Sequence, residues 1–223
     1  MKFIEKSKPP KSLIDYKRTP NAIYEGCGKK DIRIHLIAEQ GGICAYCMGR
    51  ISDERDKDLG KPKCEIEHFE PQDKAPEKAL DYKNMLGVCN GNAGQPEKLQ
   101  HCDTKKGNQV LSSLLNPLSK NIERYILYSS NGRIKSNNET LDNQLNEILN
   151  LNMQNLINAR KGKLDIVINR LRAINPKKDW KVADLKKELK NWAERNTKNE
   201  FEPYSGIVIY FIEKWIEQTG KRR

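Results

Sequence analysis

From about residue 139 onward, apolar residues return at three- and four-residue intervals, the signature of successive amphipathic helices. Leu141, Leu145, Ile148 and Leu149 form one stripe, and Leu164, Val167, Ile168, Leu171 and Ile174 form a second. Val182, Leu185, Leu189 and Trp192 make a third, and SGIVIYFIEKWIEQTG predicts a last, mostly buried helix, with Pro176 and Pro203 as separators. These stripes and the three tryptophans read as core. Upstream, KKDIRIHLIAEQ predicts a helix carrying Ile32 and Leu36 on one face and stopping at Gly41-Gly42. The stretch YILYSSNGRIKS predicts a hairpin with Asn131-Gly132 as a type I′ turn.

Between these regions the pattern breaks into short elements. A cysteine knuckle at residues 44–47 precedes a charged loop (SDERDKDLGKPK), a short strand leading into EIEHFEP, and a helix around ALDYKNMLGVC. A Gly/Asn/Gln-rich loop then runs to residue 100, and HCDTKKGN opens another helix. The first 28 residues, rich in Pro, Lys and Ser, read as an extended arm. The chain therefore divides into an arm (1–28), a loop-rich unit (29–118) and a hairpin plus helical region (119–223), an α+β chain that is mostly helical.

With 223 residues the chain can bury one good core, or one core and a small satellite. Its mean hydropathy of −0.83 leaves no run of the roughly 20 apolar residues that a membrane span needs. The opening residues are basic but lack the apolar centre of a secretory signal, so a cytoplasmic location is expected. Six cysteines in a reducing compartment point to metal ligands or buried thiols rather than disulfides. The net charge of +11 favours polyanions. It is denser after residue 120, around KLDIVINRLRAINPKK and the terminal KRR, where a solvated helical face and a nucleic-acid or partner face are both open readings.

The candidate chemistry lies between residues 44 and 107. Cys44-Ala-Tyr-Cys47 is a C-x2-C knuckle, and Cys89 and Cys102 supply two more thiolates from separate segments, enough to close a tetrahedral structural Zn²⁺ site. Cys27 and Cys64 are left over as buried or surface thiols. His101 could replace a cysteine, although a capping or surface role suits it better. Glu67, His68 and Asp103 combine carboxylates suited to a hard Mg²⁺ or Mn²⁺ ion with an imidazole able to activate water. Lys105 and Lys106 stand at the expected start of a helix, where phosphate is also favoured.

In order, CAYC, EIEHFEPQ, YKNMLGVCN and HCDTKKGN resemble the zinc-stapled HNH nuclease motif, a ββα-metal unit. The first half of the chain is most similar to the HNH proteins of Septu-type and retron-linked anti-phage systems (PtuB-like), which are encoded with an ABC/SMC-like ATPase. The resemblance implies that His68 is the general base, Glu67 and Asp103 ligands of a catalytic divalent cation, and Asn84 the residue holding the base-bearing loop. It also implies Lys106 as the basic residue that follows, nucleic acid as substrate and a PtuA-like ATPase as partner. The sequence departs from the motif at Glu67, where Asp is commoner, at Asp103, where Asn or His is commoner, and in the twelve-residue spacer between Cys89 and Cys102. A non-catalytic, zinc-stapled module that binds nucleic acid or the ATPase is the alternative.

Overall fold

The computed structural model describes residues 1–177 and 179–220; Lys178 and the terminal KRR, both in the densest basic stretches, lie outside the described residues. The fold is α+β and mostly helical, with two small two-stranded sheets among the described residues. In chain order come α1 (Lys11–Tyr16), α2 (Lys29–Glu39), β1 (Glu65–His68), β2 (Met85–Val88), α3 (Cys102–Lys106) and α4 (Ile122–Tyr125). They are followed by β3 (Leu127–Tyr128), β4 (Ile134–Lys135), α5 (Glu139–Asn143), α6 (Gln154–Ile174), α7 (Val182–Ala193) and α8 (Ser205–Gly220).

The helix α2 carries Asp31 in its first turn, where the helix dipole favours an acid, and buries Ile32 and Leu36 completely before the stop at Gly41-Gly42. The run expected to be a helix around residues 79–89 is instead a single 3₁₀ turn followed by β2. Asp81 caps the turn through the Lys83 amide, and Met85–Val88 then pairs antiparallel with β1, setting Glu67 opposite Leu86 and His68 opposite Met85. Every residue of β2 is buried. A strand covered on both faces shows no alternation and cannot be told from a buried helix by periodicity. The buried Gln40 amide secures it further, accepting from the Gly87 N–H at 2.7 Å and donating to the Gly87 carbonyl at 2.7 Å.

Two other expectations are corrected. The N-terminal arm is not extended throughout: it contains α1, buries Met1, Ile4 and Leu13, and donates from the Ile4 N–H to the Pro117 carbonyl at 2.8 Å. The β3–β4 turn is not type I′. Ser129 pairs with Arg133 across a three-residue loop, the Gly132 N–H donates to the Ser129 carbonyl, and Gly132 takes φ 95° with the Ile157 carbonyl only 2.2 Å from where a Cβ would sit.

One apolar core runs through the chain without a seam at residue 118. It joins Cys44, Tyr46 and Leu86 of the loop-rich region to Leu145, Leu164, Trp192 and Ile207 of the helices. A smaller cluster of Leu13, Ile32, Leu36, Tyr82 and Met85 fills the space between α1, α2 and the β1–β2 ladder. Backbone bonds cross the same boundary: Tyr204 N–H to the Met48 carbonyl and Cys102 N–H to the Leu149 carbonyl, each 2.9 Å. The helical half thus buttresses the cysteine knuckle. No helix among the described residues is long and apolar enough to cross a membrane.

Candidate metal centre and catalytic cleft

The knuckle folds as a tight turn because the Cys44 N–H reaches the Gly49 carbonyl and the Met48 N–H reaches the Cys44 carbonyl, with Met48 at φ 63°. Cys89 follows directly on β2 and Cys102 opens α3. The loop between them closes at Gly91, whose φ is 55° and whose Cβ, if present, would lie 2.1 Å from the His101 carbonyl. These turns bring the sulfurs of Cys44, Cys47, Cys89 and Cys102 within 4.8 Å of one another. Cys44 and Cys102 are 3.9 Å apart and Cys47 and Cys89 are 3.7 Å apart. A tetrahedral zinc with Zn–S bonds of about 2.3 Å has S–S edges of about 3.8 Å. The four cysteines therefore have the donor set and spacing to hold a zinc ion.

His101 is buried, not a surface residue, and makes no side-chain capping bond; its Nδ1 lies 3.2 Å from the Cys102 sulfur. It supports the cluster from the side. Cys27 and Cys64 are buried outside the four-sulfur group, Cys64 in the same apolar core, and burial pushes both thiols above their usual range.

Above the cysteines lies a buried polar layer. Glu67 accepts from the Tyr46 hydroxyl at 2.9 Å and pairs with the Lys106 ammonium at 2.7 Å, both through Oε1. The Lys106 side chain is 0% exposed and that of Glu67 6%. Asp103, three residues before Lys106 on α3, turns to the same carboxylate; burial first, and then the neighbouring Asp103, drives the Glu67 carboxyl well above its ordinary range, while Lys106 pulls it back. Lys106 also reaches the His68 and Gly107 carbonyls, each at 3.4 Å. Expected at a phosphate, it is enclosed in this layer, and Lys105 pairs with Glu97 at 2.6 Å.

His68 is the next and last residue of β1. Its Nε2 is 2.9 Å from the Ala79 carbonyl, which can only accept, so in the neutral ring Nε2 carries the proton and Nδ1 keeps a lone pair. The Gln72 amide lies 3.3 Å from Nδ1, and the Tyr24 ring meets the imidazole edge-on at 4.6 Å. Burial lowers the His68 pKa, favouring the neutral, basic form. Asn84 touches neither carboxylate nor imidazole. It clamps the backbone after β1, accepting from the Glu70 N–H at 2.8 Å and donating to the Glu70 carbonyl at 2.9 Å.

A polar cleft of about 500 Å³ opens on this arrangement, lined by Glu67, His68, Gln72, Asp103, Lys106 and Asn108 among others. A groove of about 750 Å³ lies elsewhere, between the N-terminal segment and α2. It holds Ser7, whose hydroxyl is 3.0 Å from His35 Nε2 and 2.8 Å from Glu39. There the hydroxyl stands between ring and acid, so the acid does not orient the ring, and the cluster tethers the N-terminal segment to α2.

Tyr46, Gln72 and Tyr24 were not singled out from the sequence. Tyr46 carried a usable signal: a tyrosine between two metal-binding cysteines is forced inward and needs a partner for its hydroxyl. Gln72 and Tyr24 reach His68 only through the tertiary fold. No protein-family model matches the chain, and no curated protein matches it.

Proposed function

We propose that the chain is a metal-dependent nuclease of the HNH type, in which β1, β2 and α3 form the ββα unit and the four-cysteine cluster is its structural zinc staple. The observation that carries this reading is the state of His68: its Nε2–H is spent on a carbonyl, which leaves Nδ1 as the basic nitrogen, held by a Gln72 amide N–H at 3.3 Å that an attacking water would replace, and the residue lines the same cleft as Glu67 and Asp103. Nδ1 would take a proton from water as the water attacks a phosphodiester. Asn84, by fixing the Glu70 backbone, holds the segment that follows the base. A buried carboxylate with a half-buried one against it calls for positive charge, and Glu67 and Asp103 would hold a hard Mg²⁺ or Mn²⁺ ion. When bound, that ion would stabilise charge on the phosphate and on the leaving oxygen.

The resemblance to Septu-type and retron-linked HNH proteins extends the proposal to an effector of anti-phage defence that acts with an ABC/SMC-like ATPase. The exposed side of α6 suits docking: Ile166 and Ile174 are 43% and 59% exposed, with Arg170 and Arg172 beside them. One observation favours the alternative of a non-catalytic binding module. Oε1 of Glu67 is already satisfied by Tyr46 and Lys106, as a purely structural carboxylate would be. The two readings separate when zinc-loaded protein, alone and with the ATPase, is incubated with plasmid and total RNA in Mg²⁺ or Mn²⁺. Metal-dependent cleavage that Asp103→Ala abolishes supports the nuclease, whereas binding without cleavage under every condition supports the module.

A further inference from the structure

We infer that Lys106 is a built-in counter-cation that prevents the Glu67–Asp103 pair from retaining a divalent ion by itself, so that the ion is captured together with a substrate phosphate. This rests on the reading of that pair as the catalytic-ion site.

A lysine is almost never fully buried unless it is paired, and Lys106 is paired with a carboxylate that lines the cleft. Its ammonium is 2.7 Å from Glu67 Oε1 and is also bonded to the His68 and Gly107 carbonyls. Three acceptors on different parts of the backbone and side chains fix it in place. The Tyr46 hydroxyl takes the same oxygen, which leaves Oε2 of Glu67 and the neighbouring Asp103 carboxylate as the oxygens that an ion would take in place of their mutual contact.

Charge balance then sets when the site fills. Two carboxylates without Lys106 would neutralise a divalent ion and bind it in the resting protein. With both carboxylates ionised, as an ion would require, Lys106 brings the layer to −1, and an ion held there would be repelled by a fixed ammonium on the same carboxylate. The loaded site then carries +1, the charge that a phosphodiester neutralises. Ion and phosphate therefore favour each other's binding, and an empty cleft holds neither tightly.

The test is Mn²⁺ binding followed by electron paramagnetic resonance on zinc-loaded protein without nucleic acid, for wild type, Lys106→Gln, Lys106→Met and Lys106→Arg. Lys106→Gln keeps a donor for Glu67 and removes the charge. It and Lys106→Met should bind Mn²⁺ on the order of 10- to 100-fold tighter than wild type, and Lys106→Arg should stay weak. A phosphorothioate oligonucleotide should tighten Mn²⁺ binding to the wild type at least about tenfold. That arm needs no variant and so survives a folding failure. A folded, zinc-loaded Lys106→Gln protein that binds Mn²⁺ no tighter, or a wild type whose affinity ignores the oligonucleotide, would overturn the inference. If instead Glu67→Gln and Asp103→Ala leave Mn²⁺ binding unchanged in both backgrounds, the ion site lies elsewhere and the underlying reading falls.

Discussion

Replacing Asn84 by alanine isolates the clamp behind His68, because this side chain bonds to the Glu70 backbone and not to His68, Glu67 or Asp103. Two hydrogen bonds disappear, from the Glu70 N–H at 2.8 Å and to the Glu70 carbonyl at 2.9 Å. Each is worth roughly 0.5–1.5 kcal/mol net, and a stranded buried partner costs roughly 1–3 kcal/mol. Glu70 is only half-buried, so water recovers part of that loss, and the sum comes to about 2–3 kcal/mol. For a domain of this size that corresponds to a fall in Tm of roughly 4–12 °C. Thermal unfolding measures the total, and amide hydrogen exchange supplies an internal control. The Phe69 N–H bonds to the Asn84 main-chain carbonyl at 2.9 Å and should keep its protection, while the Glu70 N–H should lose it. A Tm within about 1 °C of wild type, with Glu70 still protected, would refute the clamp.

Cys44→Ser should lose its zinc, about one ion per chain in the wild type by elemental analysis, and with it solubility; a zinc-free but well-folded protein would remove the staple. Asp103→Ala should be nearly inactive and Asp103→Asn should retain activity with a greater need for Mn²⁺; wild-type curves of rate against metal concentration for both would reduce Asp103 to a helix-start residue. Because burial holds the His68 pKa below the ordinary 6.5, the neutral base persists through neutral pH, and the acid limb of the rate profile should fall below that value. The same depressed pKa contributes stability that is present above the unfolded-state value and is lost as pH falls through the folded-state value. An acid limb above 6.5 would contradict the assignment of that limb to His68.

The parts of the fold that depend on neighbours close in sequence were legible in it. Ile32 and Leu36 mark α2, the stripes from Leu141 to Ile212 mark the helices, and the four cysteines and the acidic histidine stretch announce themselves by residue type. What depends on distant partners was not. Met85–Val88 forms a strand because β1 and Gln40 supply its hydrogen bonds, a fact absent from its own apolar run. Lys106 reads as a surface lysine until α3 turns it under Glu67, 39 positions earlier in the chain. The Asn131-Gly132 pair did announce a hairpin, but the strand register set by the flanking residues made the loop one residue longer than the turn type suggested.

Single-turnover cleavage of labelled DNA and RNA by wild type and His68→Ala, both verified to hold their zinc, tests the central claim most directly. The imidazole lies outside the cysteine cluster, so the variant should keep its zinc and its fold while the rate constant drops by a factor on the order of 10² to 10⁴. A zinc-loaded His68→Ala protein that cuts at the wild-type rate would contradict it.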